Sequence, residues 1–189
     1  MIEILGTCHN IQYKPKDATA REIELMDGLE SIIRQLVRGQ KVKLLAEEGL
    51  EGFPLTTARR VAEEECIRYE QVDIFGHDLD LAGIRPELQA RERAWADLDK
   101  WHADQLRFPR ADDIRENLWL DKIEKASVEC VLLVCGWAHA RPLSRKVKGR
   151  SCKAAEVMFF PESLQHSTIV DLYLDAQGVV CASRHSGKA

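Results

Sequence analysis

Three short apolar runs in this chain end in side chains that could do chemistry. Residues 2–5 close on Gly6-Thr7-Cys8-His9, and residues 131–135 close on Gly136-Trp137-Ala138-His139. Between them, residues 42–46 close on two adjacent carboxylates, Glu47 and Glu48. Neutral imidazoles beside a carboxylate suit a divalent ion such as Zn, Mn, Co or Fe. The same groups suit a general base held in place by an acid, the arrangement that activates water. A bare Gly-x-x-His pair is a weak signal; two of them, each directly behind an apolar run, carry more. Neighbouring residues point to opposite faces of a strand, so one of Glu47 and Glu48 is expected to enter a shared site.

The elements that must position these groups follow from hydrophobic periodicity. Residues 2–6, 42–46, 69–75, 129–135 and 152–160 read as strands, the fourth apolar enough to be buried on both faces. Ile23, Met26, Leu29, Ile33, Leu36 and Val37 recur at helical spacing over residues 18–38, with Gly39 as the expected stop. Further helices are expected from Thr56 or Thr57 to residue 67, and from Pro86 to residue 106. Two more follow, one after a cap at Asp112 or Asp113 and one over 137–148 with Pro142 in its first turn. Such alternation predicts an α/β fold, a mostly parallel open sheet with flanking helices. Segments 168–174 and 179–183, joined by Ala176-Gln177-Gly178, predict a C-terminal β-hairpin and an antiparallel edge. The chain therefore reads as an α/β domain of catalytic type over 1–160, followed by a hairpin extension and frayed tail over 161–189. In an open parallel sheet ligands gather outside the carboxyl ends of the strands. His9, the glutamate pair and His139 all fall there, each histidine behind a glycine that lets the chain turn tightly.

Composition narrows the partners. A chain of 189 residues, 45% hydrophobic and 31% charged, fits one domain with a real core. Net charge is −4 and no dense Lys/Arg stripe is interleaved with aromatics, so nucleic acid is not an expected partner. No apolar run approaches the roughly 20 residues a bilayer requires, and no leader pattern precedes residue 2. The expectation is a cytoplasmic protein without membrane association. Six cysteines (Cys8, Cys66, Cys130, Cys135, Cys152, Cys181) contain no Cys-x-x-Cys pair, which argues for free thiols over a zinc knuckle.

Taken together, Gly6-Thr7-Cys8-His9, the glutamate pair, the helical Ile114-Arg115-Glu116-Asn117 and Gly136-Trp137-Ala138-His139 resemble the TraB/Tiki/erythromycin-esterase/ChaN-like superfamily. TraB and Tiki members carry two Gly-x-x-His motifs, an intervening glutamate and an arginine on a helix before the second motif. The likeness spans residues 2–158 in that order. It maps site roles onto His9, Glu47 or Glu48, Arg115 and His139, and it implies hydrolysis of an ester or peptide-like amide in a small-molecule or peptide substrate. Tiki-like members are described as metal-dependent peptidases, erythromycin esterases as metal-free with a histidine base, and ChaN-like members as haem binders. A Mn, Co or Zn ion on His9, Glu47, Glu48 and His139 is one expectation; a non-catalytic haem or small-molecule binding module is the alternative. For Arg115 the roles implied are pairing with a glutamate, holding a substrate carboxylate or stabilising an oxyanion. The chain departs from these relatives in being short, in lacking Tiki's membrane anchor and the membrane segments of many TraB proteins, and in carrying the bulky Trp137.

Other residues rank lower. His77, in Gly76-His77-Asp78, is a further candidate metal ligand with Asp78 and Asp80 beside it, although a polar loop is the plainer reading. His102 reads as a packed or surface histidine, and His166 and His185 lie in a loosely constrained tail. Cys8 beside His9 does not by itself make a Cys/His pair. Trp95, Trp101 and Trp119 read as core or interface anchors. The charged helix and terminal hairpin would be the surfaces of a homodimer.

Overall fold

The computed structural model describes residues 1–13, 18–49, 55–96, 106–150, 153–159, 169–174 and 180–185. Pro15, Asp17, Trp101, His102, Cys152, His166 and the turn at 176–178 lie outside them. The strands in chain order are β1 (Ile2–Thr7), β2 (Leu44–Glu47), β3 (Arg68–Gln71), β4 (Leu106–Arg107), β5 (Val131–Gly136), β6 (Ala154–Phe159), β7 (Ile169–Leu174) and β8 (Val180–His185). The helices are α1 (Ala20–Gln40), α2 (Thr57–Glu64), α3 (His77–Leu81), α4 (Arg85–Ala96), α5 (Pro109–Lys125) and α6 (Trp137–Gly149), with a 3-10 turn at His9–Ile11.

Five strands form one sheet in the order β3-β2-β5-β1-β6, and every pairing in it is parallel. Period-two alternation sorts the strand side chains between two cores. Leu5, Leu45, Leu132 and Val134 meet Met26, Leu29 and Ile33 of α1 and Ala58 and Val61 of α2. Ile4, Leu44, Ala46, Leu133 and Cys135 meet Trp119, Leu120 and Ile123 of α5 and Ala140, Leu143 and Val147 of α6. The same parity decides the glutamates: Glu47 continues the Leu45 face, and Glu48 continues the Leu44–Ala46 face. A third core under α3, α4 and the start of α5 gathers Ile74, Ile84, Leu88, Phe108 and Ala111.

Local chemistry explains two helix starts. Thr19 and Glu22 form a reciprocal capping box on α1, Thr19 Oγ1 accepting from the Glu22 N–H and Glu22 Oε2 from the Thr19 N–H. Thr56, rather than Thr57, caps α2 by accepting the Arg59 N–H.

Several sequence expectations shift. Gly6 does not stop β1, which runs on through Thr7. Gly39 is not the α1 stop; the left-handed residue is Lys41, at φ 54°. The helix from Pro86 does not reach Leu106, because Leu106–Arg107 pairs as a strand with β7. Neither Asp112 nor Asp113 caps α5: Pro109 opens it behind Phe108, and Asp112 reaches back to accept the Phe108 N–H. Pro142 sits past the first turn of α6 and is an interior proline. The C-terminal strands do form an antiparallel pair, but they join β4 in a separate three-stranded sheet, β4-β7-β8, not the edge of the main one. Among the described residues no helix is long and apolar enough to cross a membrane.

Candidate functional site

Register brings the sequence-distant groups to one edge. Thr7 lies beside Gly136, and Glu47 beside Val134, so β1, β2 and β5 end together. Glu48 follows one residue past β2, its N–H donating to the Val134 carbonyl at 2.8 Å. His9 opens the 3-10 turn that follows β1, and His139 lies in the first turn of α6, directly behind β5.

Glu48 is the centre of what results. Its Oε2 accepts the Gly136 N–H at 2.7 Å and lies 3.6 Å from His9 Nε2. Its Oε1 accepts Arg115 Nη2 at 2.7 Å and lies 3.6 Å from His139 Nε2. One carboxylate thus stands between two imidazoles, and an arginine and a backbone amide fix its orientation. The close approach of His9 also explains the second motif's glycine. A Cβ at 136 would come within 2.7 Å of His9 Nε2, and φ there is an ordinary −55°, so crowding and not turn geometry demands glycine.

The histidines differ in their other partners. His9 Nδ1 faces Gln12 Oε1 at 3.3 Å, an acceptor that favours a proton on Nδ1. His139 Nδ1 is 2.8 Å from Glu116 Oε1, which likewise makes Nδ1 the donor. His9 is 13% exposed, whereas Glu48, Arg115 and His139 are 2–3% exposed, so His9 is the member nearest solvent.

Arg115 is not a solvated helix charge. Its Nε and Nη2 grip Asp73 at 3.1 and 2.6 Å, Nη2 also reaches Glu48, and Nη1 meets Asp112 at 3.3 Å. Trp119 holds the cluster from within: its Nε1–H donates to Asp73, its ring lies under the Arg115 guanidinium, and it meets His139 edge-on at 5.1 Å. Asp112 takes further cations from Arg107 and Arg91, and Glu116 takes Arg107 and Lys146. Four buried carboxylates therefore meet four cationic side chains, which is what burial of so much charge requires.

The fields differ sharply between the adjacent glutamates. Burial alone would raise the Glu48 carboxyl, but His139, His9, Arg115 and the Gly136 N–H outweigh it and hold it well below the usual range. Burial likewise opposes Asp112, which the neighbouring His139, Arg91, Arg115 and Arg107 lower. For Glu47 burial wins and pushes the carboxyl up to about 7, despite hydrogen bonds from Thr56 Oγ1 at 2.5 Å and the Tyr69 hydroxyl at 2.7 Å. Both of these reach Oε2; Glu47 Oε1 is buried without a hydrogen-bond partner among the described residues.

The expected residues thus divide. His9, Glu48, Arg115 and His139 come together. Glu47 faces the opposite side of the sheet, against Thr56 and Tyr69. His77 is exposed on α3 with Asp80 3.9 Å away, and among the described residues no contact links it to Glu48. Cys8 is wholly buried in the α1-side core, and Trp119 is a core anchor that also supports the site. Asp73, Asp112 and Glu116 were not singled out for the site. The sequence signal for Asp112 and Glu116 was their i, i+3, i+4 spacing with Arg115 on one helix face; Asp73 had none.

Of the expected metal ligands, His9, Glu48 and His139 come together, whereas Glu47 faces the other side of the sheet. Among the described residues no group of three or more His, Cys, Asp and Glu side chains is arranged to hold a metal ion. Glu48 already carries the Arg115 cation, which would repel a second cation bound to the same carboxylate.

No protein-family model matches the chain, and no curated protein or solved structure is matched by it.

Proposed function

We propose that this chain is a hydrolase of the TraB/Tiki/erythromycin-esterase type, acting on esters or peptide-like amides with a histidine base and without a metal. One observation carries this reading: the Nε2 atoms of two histidines stand 3.6 Å from the two oxygens of a single buried carboxylate. His9, nearest solvent, takes a proton from water as the oxygen attacks the substrate carbonyl. Glu48 stabilises the imidazolium that forms, and collapse of the tetrahedral adduct returns that proton to the departing alcohol or amine. Arg115 is read as the clamp on Glu48, since Asp73, Glu48 and Asp112 already engage its donors; this replaces the oxyanion role. A buried, pre-oriented charge of this kind is worth more than the same charge in water.

The test is hydrolysis of a panel of aryl esters and peptide-like amides by the untagged protein, with metal content read by ICP-MS. Metal-independent turnover lost in His9→Ala supports the reading. Turnover that requires added Mn, Co or Zn replaces the metal-free route. A Soret band on haem titration, lost in His9→Ala, with no turnover, would favour a binding module.

A further inference from the structure

The described residues place an unusual connection behind His139. Its Nδ1 partner, Glu116 Oε1, also accepts Arg107 Nη2 at 2.8 Å. Arg107 additionally reaches Asp112 Oδ2 at 3.4 Å, the oxygen that holds the Phe108 N–H at the head of α5. One guanidinium therefore touches both α5 carboxylates that face His139. Yet Arg107 belongs neither to α5 nor to the main sheet. It stands in β4, a strand of two residues whose sheet partner is β7, with Leu106 opposite Val170 and Arg107 opposite Asp171. So short a strand has few ladder hydrogen bonds of its own and depends on its neighbour for position.

We propose that Arg107 and Glu116 are positioning residues for His139, and that the C-terminal hairpin sets them by pairing with β4, so that the terminal segment regulates the site from behind. Arg107 fixes the Glu116 carboxylate, Glu116 fixes the ring and its Nδ1–H tautomer, and Nε2 then faces Glu48. The hairpin contributes no group to the chemistry. Its docking determines whether Arg107 is in reach. A partner or modification that lifts β7 from β4 would loosen His139 without touching the main sheet. Lys146 supports Glu116 from α6, and Arg91 and Arg115 support Asp112, so the loss of Arg107 leaves neither carboxylate alone.

The inference rests on the reading above only in taking His139 as a site residue, and its test needs no turnover. The full chain, labelled with ¹⁵N-histidine, is compared with Arg107→Ala, Arg107→Lys, Val170→Pro and Asp171→Pro, with near-UV circular dichroism as the fold control. Adjacent N–H groups point to opposite sides of a strand, so one of the two prolines removes a donor aimed at β4. The wild type should show a slowly exchanging His139 Nδ1–H. That signal should be lost in Arg107→Ala and in at least one proline variant, and kept in Arg107→Lys. An unchanged His139 spectrum in Arg107→Ala overturns the positioning role. An unchanged spectrum in both proline variants overturns the hairpin's control. Either result leaves the hydrolase reading to its own assay.

Discussion

The His9 ring occupies the space that a side chain on Gly136 would need, with Nε2 and Cε1 at 2.7 and 3.1 Å from where a Cβ would stand. The first motif's histidine and the second motif's glycine are thus one contact, made across the parallel pairing of Thr7 with Gly136. Gly136→Ala must displace the tip of His9, and Glu48 Oε2 is only 3.3 Å from the same point. The backbone at 136 accepts alanine, so the fold should survive with a small change in melting temperature. Hydrolysis should fall about 100-fold, the cost of misplacing a reacting group by an ångström. Steady-state kinetics beside a thermal melt separates the two effects.

Arg115 bridges Asp73, Glu48 and Asp112 at 3% exposure. Arg115→Ala leaves three carboxylates buried without their shared cation, and should cost about 3–5 kcal/mol or more in urea denaturation. Arg115→Lys keeps the charge but not the planar fork, and should recover only part of the loss. A loss under about 1 kcal/mol for the alanine variant would mean that the cluster is far wetter than it looks.

Glu47 gives stability a distinctive pH dependence. Unfolded, it loses its proton near 4.5; folded, it keeps it up to about 7. Between these values the native state binds more protons than the unfolded state, so stability from this group falls as pH rises through the window and levels off above it. Glu47→Gln should remove that fall, and at pH 8 should be more stable than wild type by about 3 kcal/mol. Glu48 has the opposite sign. Its lowered carboxyl contributes stability that is present above its unfolded value and lost as pH falls below it. Denaturation profiles from pH 3 to 9 should therefore lose the Glu47 feature in Glu47→Gln and keep the acid-side loss.

The site's outline was legible in the sequence because parallel strands end together. Apolar runs closing on His9, Glu48 and His139 gave the location, and strand parity gave the rule that only one glutamate enters. Which one required the observed register: Glu48 follows the Leu44–Ala46 face toward α5. Arg115 was legible only through family likeness, since an arginine on a charged helix ordinarily faces water. Asp112 read as a helix cap and Asp73 as part of a strand. Their burial is a property of the assembled charge cluster, which no local pattern announces. The helix from Pro86 was read through to Leu106 for a related reason, because β4 exists only through its pairing with β7.

The most direct test of the account compares ester hydrolysis by wild type, His9→Ala and Glu48→Gln at pH 7, each confirmed folded and metal-free. A histidine base held by a buried carboxylate predicts wild-type turnover and a loss of about 100-fold or more in both variants. Turnover by wild type that survives unchanged in His9→Ala, or no turnover by wild type on any ester or amide offered, would contradict it.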